Sequence, residues 1–177
     1  MLKKILAIGT SVWYWVGLIV LGLLMETVAL YYQYALNYLP CVLCIHVRIW
    51  VMGFIVVALF GLFVRKSWYL ISAAHVLNTV MMVGLLERSW MTLGTERLTI
   101  IASCTEDSGL PAWFALDKWF PLLFEVHEPC GYTPELLFGI TMAEGLMVLS
   151  TALVLISGVL TISILSGRRL MMEQSKD

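Results

Sequence analysis

Four long runs of apolar residues alternate with shorter polar stretches along the chain. They cover about residues 14–32, 44–63, 68–86 and 145–165. Each run is close to the roughly 20 apolar residues with which an α-helix crosses the hydrocarbon core of a bilayer. The pattern therefore predicts an all-α membrane protein, a four-transmembrane-helix bundle that forms one integral membrane domain over residues 1–177. A long loop, residues 87–144, joins the third and fourth predicted helices.

Composition supports this assignment. Of the 177 residues, 60% are hydrophobic and 13% are charged, whereas soluble domains carry roughly 25% charged residues. The formal net charge of -1 offers no basic surface for nucleic acid. The first apolar run follows Lys3 and Lys4 but lacks a small-residue cleavage site, so it is interpreted as a retained helix rather than a signal peptide.

The basic residues predict an orientation for the bundle. They flank the first helix, the turn between the second and third helices, and the end of the fourth helix: Lys3, Lys4, Arg65, Lys66, Arg168, Arg169 and Lys176. The predicted loop instead holds nine acidic and three basic residues. The positive-inside rule then places both termini in the cytoplasm and the loop outside, which is the periplasm for a bacterial inner membrane.

All four cysteines fall on this outer side. Cys41 and Cys44 stand at the start of the second helix, and Cys104 and Cys130 lie in the long loop. Disulfides persist in the periplasm, whereas cytosolic thiols are kept reduced. The sequence therefore indicates disulfide chemistry, although four cysteines allow three pairings that the sequence leaves open.

The Cys41–Cys44 pair has features of a redox site. Pro40 favours a helix that begins at or just after Cys41, where the positive end of the helix dipole stabilises a thiolate. Arg48 follows Cys44 by one helical turn on the same face. A structural disulfide, a snorkelling arginine or a zinc site joined by His46 or His127 are the alternatives, but zinc would not explain Arg48, and no metal is predicted.

Glu26, His75 and Asn78 are polar residues within the predicted membrane helices. Glu26 is an ionisable residue inside the first helix, at a depth similar to that of Arg48, so the two are candidates to pair. His75 and Asn78 are interpreted as groups that form hydrogen bonds between helices.

In the loop, Trp113, Leu116, Phe120 and Leu123 recur at helical spacing. They predict a short interfacial helix, interrupted near Phe120 by Pro121, or alternatively ordinary loop packing.

Together these features resemble the disulfide bond formation protein B (DsbB) family, the quinone-coupled thiol oxidases of the bacterial inner membrane. The resemblance covers essentially the whole chain. It is carried by the four helices, the Pro40-Cys41-Val42-Leu43-Cys44 motif with Arg48, the second pair at Cys104 and Cys130, and Leu116-Asp117-Lys118-Trp119-Phe120-Pro121 between that pair.

The resemblance implies an electron relay. A reduced periplasmic thioredoxin-like partner of the DsbA type would pass electrons to Cys104 and Cys130, then to Cys41 and Cys44, and then to membrane quinone, ubiquinone or menaquinone. By resemblance, Cys104 would form the mixed disulfide with the partner, Cys130 and Cys41 the inter-loop link, and Cys44 would face the quinone. Arg48 would bind the quinone, with Glu26 as its possible partner.

One departure and two rival functions accompany this interpretation. Some family members carry a histidine just after the third helix near the quinone, where this chain has Glu87-Arg88-Ser89-Trp90-Met91. A quinone or vitamin K epoxide reductase-like enzyme would use similar chemistry, but in that family the Cys-x-x-Cys motif follows the loop pair instead of preceding it. A non-enzymatic four-span scaffold with structural disulfides predicts that no cysteine changes state during turnover.

Overall fold

The computed structural model describes residues 2–100, 109–126, 133–137 and 139–174. Its α-helices are α1 (Leu2–Gly9), α2 (Val12–Tyr34), α3 (Val42–Val64), α4 (Trp68–Glu96), α5 (Leu116–Trp119), α6 (Pro121–Phe124) and α7 (Met142–Gln174). Strands β1 (Glu135–Leu137) and β2 (Ile140–Thr141) form a short antiparallel hairpin before α7. Helices α2, α3, α4 and α7 are long and apolar enough to cross a membrane. The prediction of an all-α, four-helix membrane protein is confirmed.

The largest difference from the predicted boundaries lies at the end of α4. This helix continues ten residues past the predicted end at residue 86. Hydropathy finds only the apolar part of a helix, whereas Ser89 and Thr92 remain in it with their hydroxyls donating to carbonyls one turn back, at 2.7 and 2.8 Å. The first part of the predicted loop is therefore a helical extension beyond the apolar span.

A short amphipathic helix, α1, was not predicted. It ends at Gly9, and Ser11 then caps α2 by accepting a hydrogen bond from the backbone N–H of Trp13 at 3.2 Å. An N-cap serine satisfies one of the unpaired donors at a helix start. The break between α1 and α2 therefore has a local cause in the sequence.

The long helices pack in the order α2, α3, α4, α7, and α1 lies against α7. Trp15, Phe54, Ile71 and Met82 are fully buried in the core that these helices share. Small residues allow the close approach, because a Cβ at Gly61 would lie 2.5 Å from the Trp15 ring. Such small-residue contacts are typical of helix packing in membranes.

Polar contacts between helices sit at the end of the bundle near α1. The His75 ring Nε2 lies 3.0 Å from the Gly9 carbonyl, and the Asn78 amide donates to the Tyr14 hydroxyl at 3.5 Å. Both side chains are fully buried. This confirms the prediction that His75 and Asn78 form hydrogen bonds between helices.

In the loop between α4 and α7, a 3-10 turn (Ala112–Phe114) precedes α5 and α6. The two short helices are separated at Phe120, where the sequence predicted a break before Pro121. Phe124, the last residue of α6, is buried, whereas Trp113, Trp119 and Leu122 are exposed. The segment thus presents one apolar face inward and another outward, as an interfacial element does.

Candidate redox site

Cys41 and Cys44 meet at the start of α3. Cys41 is the extended N-cap residue, with φ -87° and ψ 170°, and its carbonyl accepts the first helical hydrogen bond from Ile45 at 3.1 Å. The helix therefore begins just after Cys41, as Pro40 predicted. The two sulfurs lie 3.0 Å apart and both residues are free thiols. They are placed to form a disulfide with little movement of the backbone.

The environment of Cys41 favours its thiolate. A hydrogen bond from the Cys44 thiol is the largest influence and, against the opposing effect of burial, lowers the pKa of Cys41 from 9.0 to about 7. Backbone N–H groups at the helix start, including those of Leu43 and Cys44, act in the same direction. Since the thiolate is the nucleophile in disulfide exchange, Cys41 is the activated member of the pair.

The lowered pKa predicts a measurable pH dependence. In the reduced protein, alkylation of Cys41 by a small neutral reagent should fall as pH drops below about 7 and level off above it, because the thiolate reacts. Mass spectrometry of the alkylated peptide separates Cys41 from Cys44. Cys44→Ala removes the principal donor and should move the midpoint towards 9.0. A parent midpoint already near 9.0 would contradict this assignment.

Cys44, the partly exposed member of the pair, lines a cavity of about 100 Å³. We call it the Cys44 cavity. Its walls come from α2, α3, α4 and α7 and from the segments on either side of them: Ala29, Tyr32, Tyr38, Leu39, Pro40, Cys44, Val47, Arg48, Thr92, Thr133, Pro134, Met142, Ala143 and Leu146. The expected arrangement, in which Arg48 lies one turn beyond Cys44 on the same face, thus places both side chains on one cavity.

Arg48 is buried, with 6% of its surface exposed, and is held by uncharged acceptors. Its Nη1 donates to the Gln33 side-chain oxygen at 2.6 Å and to the Leu123 carbonyl at 2.9 Å, and its Nη2 donates to the Ala29 carbonyl at 3.2 Å. These contacts join α3 to α2 and to the loop helix α6. They fix the guanidinium without an ion pair from any residue that the structure describes.

Glu26 lines a second, adjoining cavity of about 350 Å³ between α2, α3 and α7. We call it the Glu26 cavity. It shares Ala29, Val47, Arg48, Met142 and Leu146 with the Cys44 cavity. The two cavities are therefore neighbours that share a wall, with Cys44 on one, Glu26 on the other and Arg48 on both.

The structure modifies the expected relation between Glu26 and Arg48. Among the described residues, the ion pairs are Arg88–Glu87 and Arg97–Glu144, and Glu26 forms none with Arg48. Glu26 Oε1 is buried without a hydrogen-bond partner in the described part of the chain. Glu26 and Arg48 line the same cavity, but the expected pair is replaced: Gln33, two turns beyond Glu26 on the same face of α2, contacts the arginine.

A polar cluster fixes the end of the loop to α4. Glu96 accepts hydrogen bonds from the hydroxyls of Thr133 at 2.5 Å and Thr141 at 3.2 Å. Beside it, Arg97 forms a 2.6 Å ion pair with Glu144 of α7. The segment from Thr133 to the hairpin is thus held against the end of α4, next to the Cys44 cavity.

The remaining predicted cysteines, Cys104 and Cys130, lie outside the described residues. Sequence reasoning overlooked Gln33 and Tyr34, which bind the loop helix through the Leu122 carbonyl. A signal for Gln33 was present, because it lies seven residues after Glu26 and hence on the same face of an apolar helix. A second buried polar group on that face indicates a partner inside the bundle.

Comparisons with known proteins agree with this geometry. A family profile described as disulfide bond formation protein DsbB matches residues 11–160. The chain is 29% identical over 132 residues to disulfide bond formation protein B 2 of Pseudomonas aeruginosa, covering 73% of this chain and 78% of that protein. It is 25% identical over 159 residues to disulfide bond formation protein B of Photorhabdus laumondii, covering 88% and 92%. The range matched by the profile spans the Cys-x-x-Cys motif and Arg48.

Proposed function

Because the chain belongs to the disulfide bond formation protein DsbB family, and so acts in disulfide bond formation as a multi-pass membrane oxidoreductase, we propose that it is a thiol:quinone oxidoreductase. It reoxidises a periplasmic thioredoxin-like partner of the DsbA type and passes the electrons to ubiquinone or menaquinone. Cys104 and Cys130 receive the electrons, and Cys41 and Cys44 deliver them. The protein lies in a bacterial inner membrane with both termini in the cytoplasm and the cysteines on the periplasmic side.

The observation that carries this proposal is the shared cavity wall of Cys44 and Arg48. A redox-active thiol and a buried cation face the same space. A structural disulfide would not require a cation on the same cavity, and a buried unpaired charge is costly. Next to an electron acceptor, it stabilises the negative charge that develops on a reduced oxygen.

The lining and the volume of the Glu26 cavity also fit a quinone. The Glu26 cavity is lined chiefly by apolar side chains, with Glu26 and Arg48 as its charged groups. Its volume of about 350 Å³ falls within the roughly 300–1,000 Å³ of small-molecule sites. Leu24 and Val28 in its lining are 56% and 42% exposed on the outer surface of the bundle. A lipid-soluble ring would therefore enter from the bilayer instead of from water.

The chemistry balances without a metal or flavin. Two thiols become one disulfide and release two electrons and two protons, and a bound quinone supplies the acceptor for both. A partner of the DsbA type is itself strongly oxidising, at about -120 mV, so its reoxidation needs a more oxidising terminal acceptor. Cys41 supplies a thiolate at neutral pH, and Arg48 holds positive charge beside Cys44.

The direct test uses purified protein with a reduced thioredoxin-like partner and a short-chain quinone. Loss of quinone absorbance and loss of partner thiols should proceed together, one quinone for each pair of thiols. Trapping the thiols by alkylation during turnover should show the cysteines changing state. A chain that consumes no quinone, with cysteines unchanged, would support the scaffold alternative.

Glu26 also takes part in this reaction. Its carboxyl group either holds the Arg48 guanidinium in place or transfers protons during quinone reduction. Glu26→Gln should slow quinone reduction by roughly three- to tenfold, because the titratable carboxyl group that lines the same weakly polar cavity as Arg48 is lost. A double-mutant cycle with Arg48→Ala should give a coupling of about 0.5 to 3 kcal/mol, as interacting neighbours do. Additive effects would place Glu26 outside this reaction, in the packing of α2.

A further inference from the structure

Gln33 lies where three segments of the protein meet. It belongs to the last turn of α2, is 7% exposed, and presents both ends of its amide to other segments. Its oxygen accepts from Arg48 Nη1 of α3 at 2.6 Å, and its nitrogen donates to the Leu122 carbonyl of α6 at 3.5 Å. A buried amide whose donor and acceptor are both used fixes the groups that it contacts.

The group that accepts from Arg48 at position 33 is an uncharged amide, and this affects the chemistry of the site. A carboxylate at position 33 would hold the guanidinium equally well but would cancel its charge. An amide oxygen and two backbone carbonyls hold Arg48 while the positive charge remains directed at the two cavities that Arg48 lines. A guanidinium has five N–H donors, so donors remain after these three hydrogen bonds.

We propose that Gln33 is a positioning residue for quinone reduction, which holds Arg48 against the cavities without neutralising it. The inference rests on the proposed function and adds a residue to it. Gln33 acts through Arg48 and does not touch Cys44, which lines the Cys44 cavity separately. The adjacent Tyr34 reinforces the arrangement, because its hydroxyl donates to the same Leu122 carbonyl.

Two substitutions separate position from charge. Gln33→Leu keeps the size but removes the acceptor, so Arg48 loses its shortest contact and the quinone KM should rise roughly tenfold, the effect of losing one hydrogen bond to a charged group. Gln33→Glu keeps the acceptor but adds a negative charge. It should leave the quinone KM within about twofold and lower kcat roughly tenfold, because the cation no longer stabilises developing charge.

Thr27→Val is the matched control. Thr27 lies on α2 in an exposed position, and its hydroxyl donates only to the Leu23 carbonyl of its own helix in the described contacts, at 2.7 Å. It lines neither cavity. Like Gln33→Leu, it exchanges a polar for an apolar side chain, and it should leave KM and kcat for quinone and the KM for the partner at the parent values.

The experiment measures steady-state quinone reduction, partner oxidation and thermal unfolding in detergent for the parent and the three variants. A KM effect in Gln33→Leu and a kcat effect in Gln33→Glu, with an unchanged partner KM, support the inference. Parent kinetics in both variants overturn it, and so do parallel losses in both that follow their thermal stability. If Gln33→Leu does not fold, the KM and kcat of Gln33→Glu decide. An inactive parent overturns the proposed function and this inference with it.

Discussion

Cys44→Ser and Cys104→Ser are expected to stop steady-state oxidation of the partner, each by at least roughly a thousandfold, because a serine oxygen cannot take part in disulfide exchange. They should do so at different steps. In Cys104→Ser, the chemically reduced Cys41–Cys44 pair should still be oxidised by quinone. In Cys44→Ser, quinone reduction should stop, while one equivalent of partner is still oxidised by the loop pair.

Single-turnover experiments distinguish these steps, with thiols trapped by alkylation and identified by mass spectrometry. The two variants serve as controls for each other, because each removes one sulfur and keeps the opposite half-reaction. If Cys104→Ser oxidised the partner at the parent rate, the pairs would not work in series. If Cys44→Ser reduced quinone normally, Cys44 would not be the thiol that faces it.

The sequence was sufficient for the parts of the fold that depend on local pattern. Span number followed from the length of the apolar runs, and the start of α3 followed from Pro40 before Cys41. The break at Phe120 followed from Pro121 in the same way. Each of these features is decided within one or two helical turns, where the chemistry of neighbouring residues dominates.

The parts that depend on helix packing and on the loop could not be predicted from the sequence. Arg48 and Glu26 were placed at a similar depth, but counting residues in from the helix ends does not specify how far α2 is shifted along α3. The packing turns Gln33 and the Ala29 carbonyl toward Arg48. The third partner, the Leu123 carbonyl, is 75 residues away in sequence, and only tertiary packing brings it there.

This packing has a chemical consequence for the site. Arg48 joins the loop helix α6 to the wall of the cavity beside Cys44. The loop between α4 and α7, which carries the proposed partner-facing cysteines, and the proposed quinone site therefore share one buried side chain. A substitution at Arg48 alters both the cavity and the loop. Its effect on the quinone kinetics must therefore be measured separately from its effect on the partner KM.

Arg48→Met is expected to raise the quinone KM or slow quinone reduction by roughly 10- to 100-fold, since hydrogen bonds to charged groups contribute about 1.5–3 kcal/mol. Methionine keeps much of the buried volume. Arg48→Lys keeps the charge but loses the forked geometry that reaches Gln33, Leu123 and Ala29, so it should fall between parent and Arg48→Met. Initial rates at varied quinone, with the partner KM measured in parallel, provide the test.

Arg65→Met is the matched control, because Arg65 follows the last residue of α3, the helix that carries Arg48, and lines neither cavity. The same substitution there should leave quinone kinetics unchanged. The physical reason for the contrast is burial: Arg65 is exposed, whereas Arg48 is almost fully enclosed. A cation screened by water contributes little to a charge that develops elsewhere, whereas an enclosed one acts at full strength. Identical quinone kinetics in Arg48→Met and the parent would remove the cation from the reaction and leave Arg48 as a structural link between α2, α3 and α6.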